Sequence, residues 1–215
     1  MKKIIFASFL LITVTAVNAQ REDKADRGGR SGGFKKENFF TGGSLEASFY
    51  NGGTVLGISP YFGYSINRFV DVAASFGFSY TSQRDYYVLG DKLRQTDFGP
   101  GAFVRLYPFR FLFAQGGYEH NFITQKYLSV PNSGYVNTTS KLDDNSVLVG
   151  GGICSGREGV GSPYFYFSVL WDVSGNINSP YVDGLGRSVP ILKAGIQIPL
   201  FQGGSGEGFH HRRRF

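Results

Sequence analysis

Between residues 44 and 200 the chain repeats a two-residue rhythm in which large apolar or aromatic side chains alternate with Gly, Ser, Thr or charged ones. A period of two puts alternate side chains on opposite faces of a β-strand, so each such segment predicts a strand with one greasy and one polar face. The rhythm is clearest where Val70, Val72, Ala74, Phe76, Phe78 and Tyr80 alternate with Asp71, Ala73, Ser75, Gly77, Ser79 and Thr81. It recurs to give eight segments. They start with Leu45, Ala47 and Phe49, then Leu56 to Tyr64, and continue after the 70–81 segment with Phe98 to Leu106 and Leu112 to Tyr118. The sixth, Ser146 to Cys154, is the weakest because Val147, Leu148 and Val149 compete for the apolar face, and its orientation stays open. Phe165 to Val173 and Leu192 to Leu200 complete the set.

The charges decide which face is which. Glu46, Asp71, Asp97, Arg105, Glu119, Asp172 and Lys193 all fall in the small or polar row and none falls in the apolar row. A soluble sandwich would turn its polar row to water and fill it with Lys, Glu and Thr. Here that row is mostly Gly, Ser and Ala, which suits a narrow barrel interior, while the Phe, Val and Leu row suits hydrocarbon. The better segments also run for the roughly 9 to 11 residues that a tilted membrane strand requires. Hydrocarbon offers no hydrogen-bond partner, so such a sheet must close on itself. The expected fold is all-β, a closed eight-stranded antiparallel transmembrane β-barrel whose lumen is filled by side chains.

Connection lengths fit this arrangement. Residues 66–69 and 107–110 read as tight turns and 156–162 as a modest one, whereas 83–95, 123–144 and 174–188 read as long polar loops, with only Asn51–Gly53 short among the outer connections. Short periplasmic turns and longer external loops are the habit of bacterial barrels, and an even strand number leaves both termini in the periplasm.

Composition narrows the picture further. Gly 31 and 16% aromatics do not describe a helical bundle, 41% hydrophobic residues exclude a disordered chain, and the single Cys154 excludes a disulfide framework or a multi-Cys metal site. Residues 1–19 read as a signal peptide, with Lys2 and Lys3, an apolar run from Ile4 to Val17, and Ala19 before the expected cut. Removing Lys2 and Lys3 lowers the formal charge of +6 to +4. The remaining excess sits in two tails. Residues 20–37 are expected to form a disordered periplasmic segment and 202–215 a flexible basic tail, with the barrel spanning 38–201.

The stretches Ile58-Ser59-Pro60-Tyr61-Phe62-Gly63-Tyr64, Phe98-Gly99-Pro100-Gly101-Ala102-Phe103-Val104-Arg105-Leu106-Tyr107 and Leu192 to Phe201 resemble the hairpins of small outer-membrane β-barrel proteins of the OmpA-like and OmpX-like type. The resemblance covers residues 38–201 and implies location in the outer membrane, lipid contact and insertion by the barrel-assembly machinery. It also implies that Phe201, an aromatic residue closing the last strand, is the assembly signal, although the chain continues to Phe215.

Candidate chemistry is sparse, and no catalytic, cofactor-binding or metal-ligating residue is assigned. The seven interior charges form an expected structural network, with Asp71 and Arg105 as its pair. Some barrels of this kind modify lipid A with a His, Ser and Glu on the outer surface. Here His120 follows Glu119, but the two point to opposite faces and Phe122 stands where a Ser would be needed. The Gly203–Gly208 run lacks the Lys-Ser/Thr and helix of a phosphate loop and reads as a linker. Tyr61, Tyr64, Tyr80, Tyr107, Tyr118 and Trp171 are candidates for the interfacial girdles. The reading is a non-catalytic outer-membrane protein serving envelope structure, surface contact or docking to a larger complex, without nucleic-acid partners. A narrow solute channel, a lipid-modifying enzyme and a soluble periplasmic lipid-binding barrel are the alternatives.

Overall fold

The computed structural model describes residues 35–50, 52–183 and 185–202. The expected signal peptide, nearly all of the 20–37 segment and residues 203–215 lie outside them. A 3-10 turn at Lys36–Asn38 leads into eight strands: β1 (Phe39–Tyr50), β2 (Gly53–Asn67), β3 (Val70–Arg84), β4 (Lys92–Phe109), β5 (Leu112–Leu128), β6 (Thr138–Cys154), β7 (Tyr164–Asp172) and β8 (Ile191–Pro199). Each pairs antiparallel with its neighbours, and β8 returns to β1 to close the barrel. Thr41 lies opposite Ile198 and Glu46 opposite Lys193 at this seam.

The alternation sets the inside and the outside. Leu45, Phe49, Ile58, Phe76, Phe98, Leu106, Ile153, Phe165 and Trp171 are exposed on the outer face, while Glu46, Asp71, Asp97, Arg105, Asp172 and Lys193 are buried. From Val70 to Tyr80 the apolar row climbs about 33 Å along β3 at ~3.3 Å per residue, or about 25 Å along the axis at a tilt of ~40°. That is the height of the hydrocarbon band on outer-membrane barrels. The sixth strand, ambiguous in sequence, turns Val147, Val149 and Ile153 outward and Leu148 inward, where Leu148 clusters with Leu170, Tyr181 and Ile191.

Two expected loops are shorter than the polarity of their residues suggests. β3 continues to Arg84 and β4 begins at Lys92, leaving only 85–91 as the connection, and β5 and β6 similarly reduce theirs to 129–137. The register runs unbroken through Gln95↔Gln125 and Thr124↔Lys141. Ladder hydrogen bonds need no apolar side chains, so β-forming Thr and Gln residues carry the wall beyond the membrane. At 18 residues, β4 is nearly twice the crossing length. The opposite end is trimmed to tight turns beside register shifts at Ser65/Asn67 and Leu106/Phe109.

Candidate functional site

The lumen gathers the seven charges of the polar row, and it fills in three tiers. At mid-barrel, Lys193 Nζ lies 2.8 Å from Glu46 Oε1 and 3.2 Å from Glu119 Oε1. Lys193 and Glu46 face each other across the closing seam, so this cation locks β8 to β1 and reaches across the lumen to β5. Ser59 also donates to Glu46, and the Tyr181 hydroxyl donates to Glu119 Oε2 at 2.9 Å. Every carboxylate in this tier therefore has charged and neutral donors, as burial demands.

Toward the end with the tight turns, Arg105 is buried without a carboxylate of any described residue on its guanidinium. Its Nε donates to Gln115 at 2.8 Å, and its carbon sits 4.0 Å from the Tyr166 ring centroid, 4.7 Å from Phe103 and 5.0 Å from Phe113. The rings supply much of the electrostatic compensation that an anion would otherwise give. Asp71 stands opposite Arg105 in the ladder, as the sequence implied, yet its carboxylate pairs elsewhere. Arg157, from the connection between β6 and β7, reaches in to contact Asp71 Oδ1 at 2.7 Å and lies 3.6 Å over the Tyr107 ring. Gln197 bridges the two, donating to Asp71 Oδ2 at 3.1 Å and accepting from Arg105. The expected Asp71–Arg105 ion pair is thus replaced by Asp71–Arg157, because Arg105 lies among aromatic rings while Arg157 enters from the rim.

Those rings stand at inward positions, with Phe103, Phe113, Tyr164 and Tyr166 in the same alternating row as the interior charges. Phe40, Tyr61, Phe103, Tyr107, Phe113, Tyr164 and Tyr166 form one buried cluster. Tyr61 and Tyr107, candidates for the girdle, therefore belong to the lumen instead. Inward glycines make the room. A Cβ on Gly42 would come within 2.5 Å of the Tyr61 ring, and one on Gly63 within 2.4 Å of Phe40. The pairing of bare backbone with large rings keeps the lumen filled within a barrel of fixed circumference.

Toward the outer end the lumen is rich in carboxylates. Ser79 donates to Asp97 at 3.0 Å and Ser146 to Asp144 at 2.9 Å, while Ser179 donates to Asp172. Asn176 also donates to Asp144. Asn176, Ser179 and Tyr181 belong to the 173–190 connection, which folds down into the mouth and buries Tyr181 and Val189. Between the tiers remains a cavity of about 20 Å³ beside Ser44, Ser59, Arg105 and Lys193, room for a single water. Two rim aspartates lie beyond the membrane wall. Burial would raise the Asp91 carboxyl, but donation from Tyr87 N–H, the Tyr127 hydroxyl and the Val88 and Tyr86 N–H groups prevails and lowers it below the ordinary value. Asp183 is lowered chiefly by the Arg187 side chain and backbone.

A lumen of ion pairs inside an apolar belt has its polarity inverted relative to a soluble protein. The architecture is that of an outer-membrane β-barrel. The sequence matches no protein-family model and no curated protein. Similar solved structures include Ail, the attachment invasion locus protein of Yersinia pestis, in complex with the heparin analogue sucrose octasulfate, at 11% identity, covering 75% of this chain and 99% of that one with a TM-score of 0.47. Neisserial surface protein A is similar at 15% identity over 75% and 95%, TM-score 0.37. The outer-membrane enzyme PagL is similar at 9% identity over 75% and 99%, TM-score 0.37. At these identities their individual roles do not pass to this chain.

The other candidates fall as follows. His120 faces outward, its Nδ1 2.8 Å from Asn145 Oδ1 and its ring edge-on to Phe122, while Glu119 points into the lumen. Phe201 lies just past β8 with a positive φ of 54° and is exposed. Cys154 is buried near the tight-turn end, its Sγ 3.3 Å from the Arg110 carbonyl. No group of three or more His, Cys, Asp or Glu among the described residues is arranged to hold a metal. Sequence reasoning missed Arg157, Tyr181 and Asp144, all of which lie in or beside segments it treated as loops.

Proposed function

We propose that the chain is a non-catalytic barrel of the OmpA-like and OmpX-like type, anchored by its wall and acting in envelope structure, surface contact or docking to a larger complex. The observation that carries this reading is the plug. Ion pairs at mid-barrel, the Arg157 insertion at one end and the 173–190 connection at the other place tied side chains across the lumen. Side chains that would serve a transporter as mobile gates are instead tied to two or three partners each. A soluble barrel binding lipid in an apolar cavity does not fit an ionic lumen. The lipid-modifying alternative is disfavoured because the outward His120 is engaged by Asn145 and Phe122, with Glu119 committed to Lys193 and Tyr181. In this reading residues 1–19 are removed on export, the segments 20–37 and 202–215 lie in the periplasm, and Phe201 is the signal read by the barrel-assembly machinery.

Planar-bilayer recordings of the purified barrel test the plug. The expected trace is flat, whereas uniform conductance steps that scale with protein added would favour the channel. Lipid A extracted from overexpressing cells is expected to keep its mass, and loss or gain of an acyl chain would favour the enzyme.

A further inference from the structure

The outward face of β3 to β6 changes character where the strands rise beyond the apolar belt. Arg84, Lys92, Arg94, Lys126 and Lys141 all point outward there and are exposed. The ladder sets Arg94 directly opposite Lys126 and Arg84 directly opposite Lys92, with Lys141 on the next strand opposite Thr124. Like charges placed directly opposite in a sheet are destabilising. None of the five is in an ion pair with another described residue. On the same face Asp143 lies lower, opposite Phe122, and Asp85 in the adjoining turn accepts from the Gly90 N–H. The repulsion is thus left for something other than the described residues to relieve.

Depth identifies what that is. Below Arg94 and Lys126 the outward positions are Thr96 and Thr124, then Phe98 and Phe122, whose rings lie 5.4 Å apart in the apolar belt. The four-residue step from the Phe tier to the basic tier spans about 13 Å of strand, or roughly 10 Å along a tilted axis. The headgroup layer begins within that distance of the hydrocarbon edge. The array also occupies one side only. The outer ends of β1 and β2 carry Phe49 and Thr54 where those of β3 to β6 carry basic residues, and β7 and β8 are 9 residues long against 15 to 18 for β3 to β6.

We propose that Lys92, Arg94, Lys126 and Lys141 form a binding site on the barrel's outer wall for the phosphate groups of outer-leaflet lipid. The site rests on the membrane placement of the barrel and adds to it a fixed side and a headgroup chemistry. Phosphate oxygens supply the counter-charge that the fold withholds, and the extended strands hold the cations at headgroup level.

The test uses the full folded chain in non-ionic maltoside micelles and follows the unfolding midpoint as lipid A is added. Bis-phosphorylated lipid A is expected to raise the midpoint, and the same lipid stripped of phosphate is expected to do so far less. Arg94→Gln with Lys126→Gln should weaken the apparent affinity on the order of 30-fold. Without lipid, this variant should unfold at the same temperature as the native chain or higher, since the like-charge pair is gone. If the double variant does not fold, Lys141→Gln should weaken binding about fivefold. Equal shifts from phosphorylated and stripped lipid, a variant that binds as tightly as the native chain, or a full shift with inorganic pyrophosphate alone would each overturn the site. Release of the native chain from vesicles by carbonate would overturn the membrane placement itself, a separate failure.

Discussion

The two ends of the lumen solve one problem by different chemistry. Both must keep charge inside a tube filled by side chains. The half with the tight turns surrounds the Arg105 cation with rings and ties its carboxylate, Asp71, to Arg157. The outer half holds Asp97, Asp144 and Asp172 on serine hydroxyls and an asparagine, without a buried cation among their direct partners. The difference follows from what each end can draw on. The end with the tight turns must be stiffened from within, whereas the other end has an 18-residue connection, 173–190, that can fold back and deliver neutral donors. A rigid base and a hydrogen-bonded cap are the result, with Lys193 as the tie between them.

Breaking that tie should have the largest effect. Lys193→Met leaves Glu46 and Glu119 facing each other without a cation and should lower stability by about 3–5 kcal/mol, read from unfolding in detergent. Next comes the periplasmic base. Arg157→Gln should cost about 3 kcal/mol by stranding Asp71, and adding Asp71→Asn should restore part of the loss. Additive losses would contradict the pairing, and a double-mutant cycle on Asp71 and Arg105 is expected to show weaker coupling. Gly42→Ala would force a methyl into the Tyr61 ring and should cost about 1–3 kcal/mol. The cap should respond more gently. Tyr181→Phe removes the bond to Glu119, costs about 1 kcal/mol, and should speed protease cleavage within 173–190 while leaving the wall intact. The smallest effect is that of pH on the rim. Because Asp91 and Asp183 have lowered carboxyl pKa values in the folded chain, their stabilisation is complete above the unfolded value of about 4 and is lost as pH falls through the folded ones. The part of rim stability that these two carboxylates supply should therefore be constant at neutral pH and fall only below about pH 4, read as cleavage within 85–91.

The wall was legible from sequence because a barrel's inside and outside differ at every second residue. Val70 to Tyr80 declares its face without reference to any other strand. The sixth strand did not, since Val147, Leu148 and Val149 are all apolar and only the cluster of Leu148 with Tyr181 and Ile191 picks the inward one. The base was half legible. Asp71 and Arg105 are correctly level, but the Arg157 that captures Asp71 comes from a connection with no periodicity to read. The inward rings had a usable signal in the glycines, since Gly42, Gly63 and Gly195 each stand beside a Tyr or Phe that needs their space. The cap had none, because loop residues such as Ser179 and Tyr181 reveal their targets only once the mouth exists.

Trp171 offers the most direct test of the inverted polarity. It is the only tryptophan in the chain and sits on the outer face of β7, exposed and opposite Val149. In vesicles made with bromine-labelled acyl chains, its fluorescence should be strongly quenched, while acrylamide in the aqueous phase should quench it weakly. Efficient acrylamide quenching with no response to the brominated lipid would mean that the greasy row does not face hydrocarbon.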